Sequence, residues 1–159
     1  MTIRTQCTAG RVADIQDDLR AHPQRALATL SASSGGTAAA TTNPDLAATQ
    51  RVLDALAQCH AATYRLYAEA LGIPLTSIEV KLHGALDLRG LYAAADHIRP
   101  GFNGVEATVQ ISTPADIYEV ERLRITVERH APVLDLLRNP TPVKIELVIN
   151  HCENSPIAA

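Results

Sequence analysis

Apolar residues return every three or four positions along one long stretch of this chain: Leu46, Val52, Leu53, Leu56, Cys59, Ala62, Tyr64, Leu66, Tyr67 and Leu71, up to Gly72. Asn43 or Asp45 can cap its start with Pro44 in the first turn, and Pro74 stops it. The pattern predicts a central helix over about residues 45–72. Beyond it, residues 77–84 alternate with Ile78, Val80 and Leu82 on one face, and residues 105–112 repeat the period with Val105, Ala107, Val109 and Ile111. Two half-buried, antiparallel strands follow from this. The connection over residues 86–103 is too long for a tight hairpin and has room for a helical turn around residues 91–95. Thr113-Pro114 opens another helix through Tyr118, Val120, Leu123, Val127 and His130, closed by Pro132. A short helical piece over residues 133–137, a final strand over residues 143–149 and a frayed tail complete the C-terminal part.

The N-terminal third has weaker periodicity. Residues 2–8 alternate weakly and residues 25–32 mix apolar and polar positions before Gly35-Gly36, so a small sheet is predicted over about residues 1–42. Residues 33–44, rich in Ser, Gly, Thr and Ala, read as a loop. Helices grouped together, rather than alternating one for one with strands, argue for an α+β fold. The 159 residues are expected to form one domain, its C-terminal sheet and helix spanning about residues 76–150.

Composition narrows the choice of partners. With aromatics at 3%, one Phe and no Trp, the core must be built from small aliphatic side chains, which pack without voids most readily when a second subunit covers them. An oligomer is therefore expected. A formal charge of -3, with Lys and Arg scattered singly, supplies no basic patch for nucleic acid or an anionic membrane surface. No apolar run reaches the roughly 18 residues that span a bilayer, and Met1-Thr-Ile-Arg-Thr-Gln-Cys7, with no apolar run behind its arginine, is not expected to be a secretory signal. The expected location is the cytoplasm.

Three cysteines, Cys7, Cys59 and Cys152, are too few and too far apart for a disulfide framework or a paired-cysteine metal site. Cys59 lies on the helical stripe, where it is either a reactive thiol or an inert buried one. His60, its neighbour, points to a different face and is expected in solvent. His130 precedes the Pro132 break, where an imidazole can cap the helix or face a pocket. Tyr64 and Tyr67 read as packing residues. His151-Cys152 has no companion ligands, so no metal is expected, and a Cys7 or Cys152 disulfide to Cys59 needs Cα atoms within about 7 Å.

Three ordered pieces resemble the OsmC/Ohr family of thiol-dependent hydroperoxide reductases. They are Cys59 with Thr63-Tyr-Arg-Leu-Tyr-Ala-Glu-Ala-Leu-Gly-Ile-Pro74, Gly84-Ala-Leu-Asp-Leu-Arg-Gly90 with Arg99-Pro-Gly-Phe102, and His130-Ala-Pro-Val133 with Arg138-Asn-Pro-Thr-Pro-Val143. The resemblance implies an intertwined homodimer, long helices packed centrally against curved antiparallel sheets, and a peroxidatic Cys59 near the subunit interface. It further implies an organic hydroperoxide or another small apolar molecule as substrate, an external thiol reductant and no cofactor. Family members hold the thiolate with an Arg fixed by a Glu and rescue it with a resolving cysteine. Here Gln50 fills the acidic position and Ala131 the resolving one, while Arg25, ahead of Arg20, is the candidate cation. Gln50, His130 and Ala131 are accordingly the expected substrate-side residues. The two departures also support a second expectation, a non-redox binding protein or enzyme with its cleft between subunits.

Overall fold

In a computed structural model of the protein the described residues are 6–35, 41 and 43–149, with side chains from Gly10 onward. The first described element is a helix, α1 (Gln6–Ala21), which takes in residues 6–8 of the strand predicted from the weak alternation of residues 2–8; residues 2–5 lie outside the described residues. Its Ala, Gln, Arg and Leu content favours helix, and Leu19 and half-buried Ile15 seat it against Ala26, Ala94 and Tyr92. Gln16 Nε2 donates to Tyr92 O at 2.7 Å and Arg20 Nε to Ala94 O at 3.2 Å. A 3₁₀ turn, Pro23–Arg25, leads into β1 (Leu27–Ser33). Among the described residues the N-terminal third thus contributes one strand to a shared sheet rather than the small sheet predicted over residues 1–42.

β1 pairs antiparallel with β2 (Ser77–Asp87), and β2 with β3 (Phe102–Ser112), in the order β1-β2-β3. Ile78, Val80, Leu82 and Leu86 of β2 are buried, as their alternation predicts. The β2–β3 register slips between Ala85 and Leu86, whose partners are Gly104 and Phe102, so Asn103 is the extra residue of a bulge. A side chain on Gly84 would lie 2.5 Å from the Phe102 ring, which occupies that space. The long connection carries α3 (Leu88–Leu91), capped by Asp87, whose side chain accepts from Arg89 N.

The central helix α2 (Ala47–Leu71) follows a 3₁₀ turn, Pro44–Leu46, in which Asn43 accepts from Asp45 N. Gly72, at φ 68°, adopts the left-handed conformation that ends it. α2 lies on the sheet with Leu53, Ala57, Ala61 and Tyr64 inward, and α4 (Ile117–His130) packs on α2 through Leu123 and Val127. Asp116 and Glu119 form a capping box at the start of α4, three residues after the predicted Thr113-Pro114 start. Pro132 opens α5 (Pro132–Arg138).

Residues 143–149 form no strand. Val143, Ile145 and Leu147 keep their alternation with Lys144 and Glu146 but are 78%, 87% and 81% exposed. A strand exists through lateral backbone pairing, and among the described residues none pairs with this segment.

Gly90 marks a place where two chain segments touch. A Cβ there would sit 2.3 Å from the backbone oxygen of Arg99, so α3 and the Ile98–Arg99 backbone approach only because position 90 has no side chain. Gly90→Ala is expected to lower stability by about 1–3 kcal/mol through overpacking. Urea unfolding checks this, and an unchanged midpoint would show that the backbone yields freely.

Candidate functional site

An α-helix turns about 100° per residue, so adjacent residues of α2 face different surroundings. The inward arc holds Leu53, Ala57, His60, Tyr64 and Ala68, and a second, outward arc holds Val52, Cys59 and Leu66 at seven-residue spacing. The apolar stripe read from the sequence is thus two stripes. Val52 and Leu66 are 55% and 61% exposed, and Cys59 between them is a half-buried free thiol. His60 is 5% exposed, the reverse of the solvent position expected for it, because its direction is that of Leu53 and Tyr64. Its ring meets Tyr64 edge-on at 5.2 Å.

The residues expected to surround the thiol have other partners. Gln50 is buried and donates from Nε2 to Ser31 O at 2.8 Å and to Asp54 Oδ1 at 3.0 Å. A carboxylate is therefore present one turn beyond the position where the family carries its acid. Sequence reading passed over Asp54, although an acid inside a helical apolar repeat is a visible irregularity. Arg25 sits in the turn before β1 and pairs with Asp18 of α1 at 2.7 Å. Arg20 pairs with Asp17. His130 is exposed at the end of α4 and lies against the Tyr67 ring at 5.6 Å, consistent with its place in the last turn. Ala131, 2% exposed, forms the junction between α4 and α5 and belongs to the core. Cys7 and Cys152 fall outside the described side chains. Among the described residues no three His, Cys, Asp or Glu side chains are grouped to hold a metal ion.

Inward of α2, and not lined by Cys59, lies a cavity of about 880 Å³ between α2, β3, α4 and α5. His60 and Tyr64 form one wall; Phe102, Val105 and Val109 of β3 another; Leu134 and Leu137 of α5 a third. His60 Nδ1 is buried with no hydrogen-bond partner among the described residues. Burial holds the imidazole below its ordinary range; Glu128 opposes that shift and Arg138 adds to it. Burial likewise raises the Tyr64 phenol. His60 is thus favoured as a neutral ring.

That preference has a consequence for stability. Below about pH 6.5 the unfolded chain takes up a proton at His60 that the folded chain resists, so stability falls as pH drops through this range, and above it His60 contributes nothing. In His60→Leu the loss of stability between about pH 7 and pH 5 is expected to be shallower. Urea midpoints at the two pH values read it, and equal slopes in both proteins would contradict the assignment.

Comparison with known proteins agrees with the α+β fold. The sequence model for OsmC-like protein matches residues 41–146. Among solved structures the fold is similar to an OsmC-like protein from Mycoplasma pneumoniae, with a TM-score of 0.51 and 20% identity over 62% of this chain and 64% of that one. The match therefore spans less than two thirds of that relative. A search of curated proteins found no match. No helix among the described residues is long and apolar enough to cross a membrane. With an α+β architecture and two thirds of its length under the family's sequence pattern, the chain belongs to the OsmC-like protein family.

Proposed function

We propose that the protein is a thiol-dependent reductase of organic hydroperoxides, acting through Cys59 in a cytoplasmic homodimer. The position of Cys59 carries this reading: the thiol is half-buried on the outward arc of α2 between exposed Val52 and Leu66, rather than sealed in the core as an inert cysteine is. An apolar approach to a reachable sulfur suits a peroxide with a hydrocarbon body. The thiolate attacks the distal peroxide oxygen, the O–O bond breaks, and the departing alkoxide takes a proton to leave as the alcohol. Cys59 is left as the sulfenic acid. An external thiol then attacks its sulfur, expelling water, and a second thiol resolves the mixed disulfide to restore Cys59.

Two features support a second copy as the partner. Val52 and Leu66, on either side of half-buried Cys59, are exposed among the described residues, and the alternating apolar residues Val143, Ile145 and Leu147 stand in solvent while β3 has one edge unpaired among the described residues. Burying both on another copy removes two exposed apolar surfaces together. Gln50 and Ala131 favour a second reading, in which the cleft between subunits binds or transforms a small molecule without redox chemistry. Arg25 serves the thiolate in the first reading only if its Asp18 pair opens.

Cumene hydroperoxide consumption with dithiothreitol separates the two readings. The wild type is expected to consume it and Cys59→Ser is not; no consumption by the wild type sinks the redox reading. Because position 131 holds no thiol, peroxide without reductant is expected to drive Cys59 to sulfenic and then sulfinic acid, seen as oxygen additions by mass spectrometry. A Cys59 disulfide to Cys7 or Cys152 would instead show that the resolving thiol lies elsewhere.

Assembly has its own test. Sedimentation is expected to give a dimer at micromolar concentration, and Leu66→Glu, which places a charge in the proposed interface, a folded monomer. A wild-type monomer at that concentration overturns the dimer.

A further inference from the structure

The cavity inward of α2 is separate from the Cys59 surface, and its lining has a definite chemistry. Four ionised side chains face it: Arg99, Arg124, Glu128 and Arg138. Arg124 is held by Glu121, with its Nη2 2.5 Å from Oε1, and also by Glu128, so Arg124 and Glu128 neutralise one another. Arg99 and Arg138 have no carboxylate partner among the described residues. The walls between these charges are apolar, from Phe102, Val109 and Leu134. His60 also lines the cavity, 5% exposed, and its Nδ1 is a buried polar atom without a partner among the described residues. Leaving such an atom unpaired costs about 1–3 kcal/mol, a penalty a ligand's polar group can remove.

We propose that this cavity binds an amphipathic monocarboxylate, its head group taken by Arg138 and by His60 Nδ1–H and its apolar body lying against Phe102, Val109 and Leu134. A guanidinium matches a carboxylate with two parallel hydrogen bonds, and a neutral imidazole donates one without adding charge. Arg99 adds a second cation to the lining and raises the local concentration of anions. The volume, about 880 Å³, lies within the range of small-molecule sites and accommodates a medium-chain acid. Tyr64, edge-on to His60, holds the ring in place from the next turn of α2. Neither the head-group site nor the walls include Cys59, so the proposal stands whether or not the thiol reduces peroxides.

Titration calorimetry of the full-length protein with decanoate, and with decanol as the uncharged analogue, tests it. Decanoate is expected to bind more tightly than decanol. Arg138→Gln, a change at an exposed side chain that leaves the core intact, is expected to weaken decanoate by about tenfold and decanol hardly at all. His60→Phe, which keeps an aromatic ring but removes Nδ1, is expected to weaken decanoate by several-fold, while Leu134→Trp, which fills the cavity, abolishes binding of both. Cys59→Ser is expected to bind decanoate as the wild type does. Absence of decanoate binding overturns the proposal, as does equal binding of the two probes or an affinity that Arg138→Gln leaves unchanged. Binding lost in Cys59→Ser but kept in Leu134→Trp would place the acid at the thiol surface and overturn it equally.

Discussion

Everything in this molecule depends on the seating of one helix on one sheet. α2 buries Leu53, Leu56, Ala57, Ala61 and Tyr64 against β1, β2 and α4, and its rotation is fixed by that contact. Burying a leucine side chain fully contributes about 1.5–3 kcal/mol, and truncating one in a packed core costs about 2–5 kcal/mol. The ends of α2 add direction: the Asn43 turn sets its entry and the left-handed Gly72 its exit. In a core with a single phenylalanine these aliphatic contacts are the main adhesive.

The buried polar groups are placed by the same seating. Gln50 ties α2 to the backbone of β1 and shares a hydrogen bond with Asp54, whose other oxygen is unpaired among the described residues. His60 Nδ1 is unpaired as well. Each such group lowers stability, so a chain selected for stability alone would carry aliphatic residues here. Where a fold keeps polar atoms on the inward arc of its principal helix, local consistency has been given up for something other than packing.

Much of the architecture was legible in the period of the apolar residues. The 3.6-residue repeat of α2 and the two-residue repeats of β2 and β3 depend on local geometry that any packing partner preserves. Two elements were not legible, because what decides them lies outside that local period. α1 is polar over most of its length, and Leu19 and Ile15 seat it on Ala26 just beyond its end and on Tyr92 and Ala94 far along the chain. Residues 143–149 have a strand's alternation but lack pairing among the described residues, and pairing is a property of neighbours that a single strand's sequence does not contain. For the candidate site, motif spacing singled out Cys59, Gln50 and Ala131 but not which way each faces. Counting Val52 and Leu66 as core merged two arcs of α2, and this led His60 to be read as exposed when it is buried.

The separation of those arcs would let the two proposed sites, of different chemistry, share one helix. Cys59 and His60 are consecutive, and the roughly 100° between them carries the thiol to the outward surface and the imidazole to the cavity wall. Turning α2 far enough to bring Cys59 into the cavity would carry Leu53 and Ala57 out of the sheet contact, at a cost of about 1.5–3 kcal/mol for the leucine alone. The thiol and the cavity are therefore held apart by the main packing interaction of the fold. A substitution at Cys59 changes the outward surface without altering the inward walls, whereas one at Leu53 disturbs both.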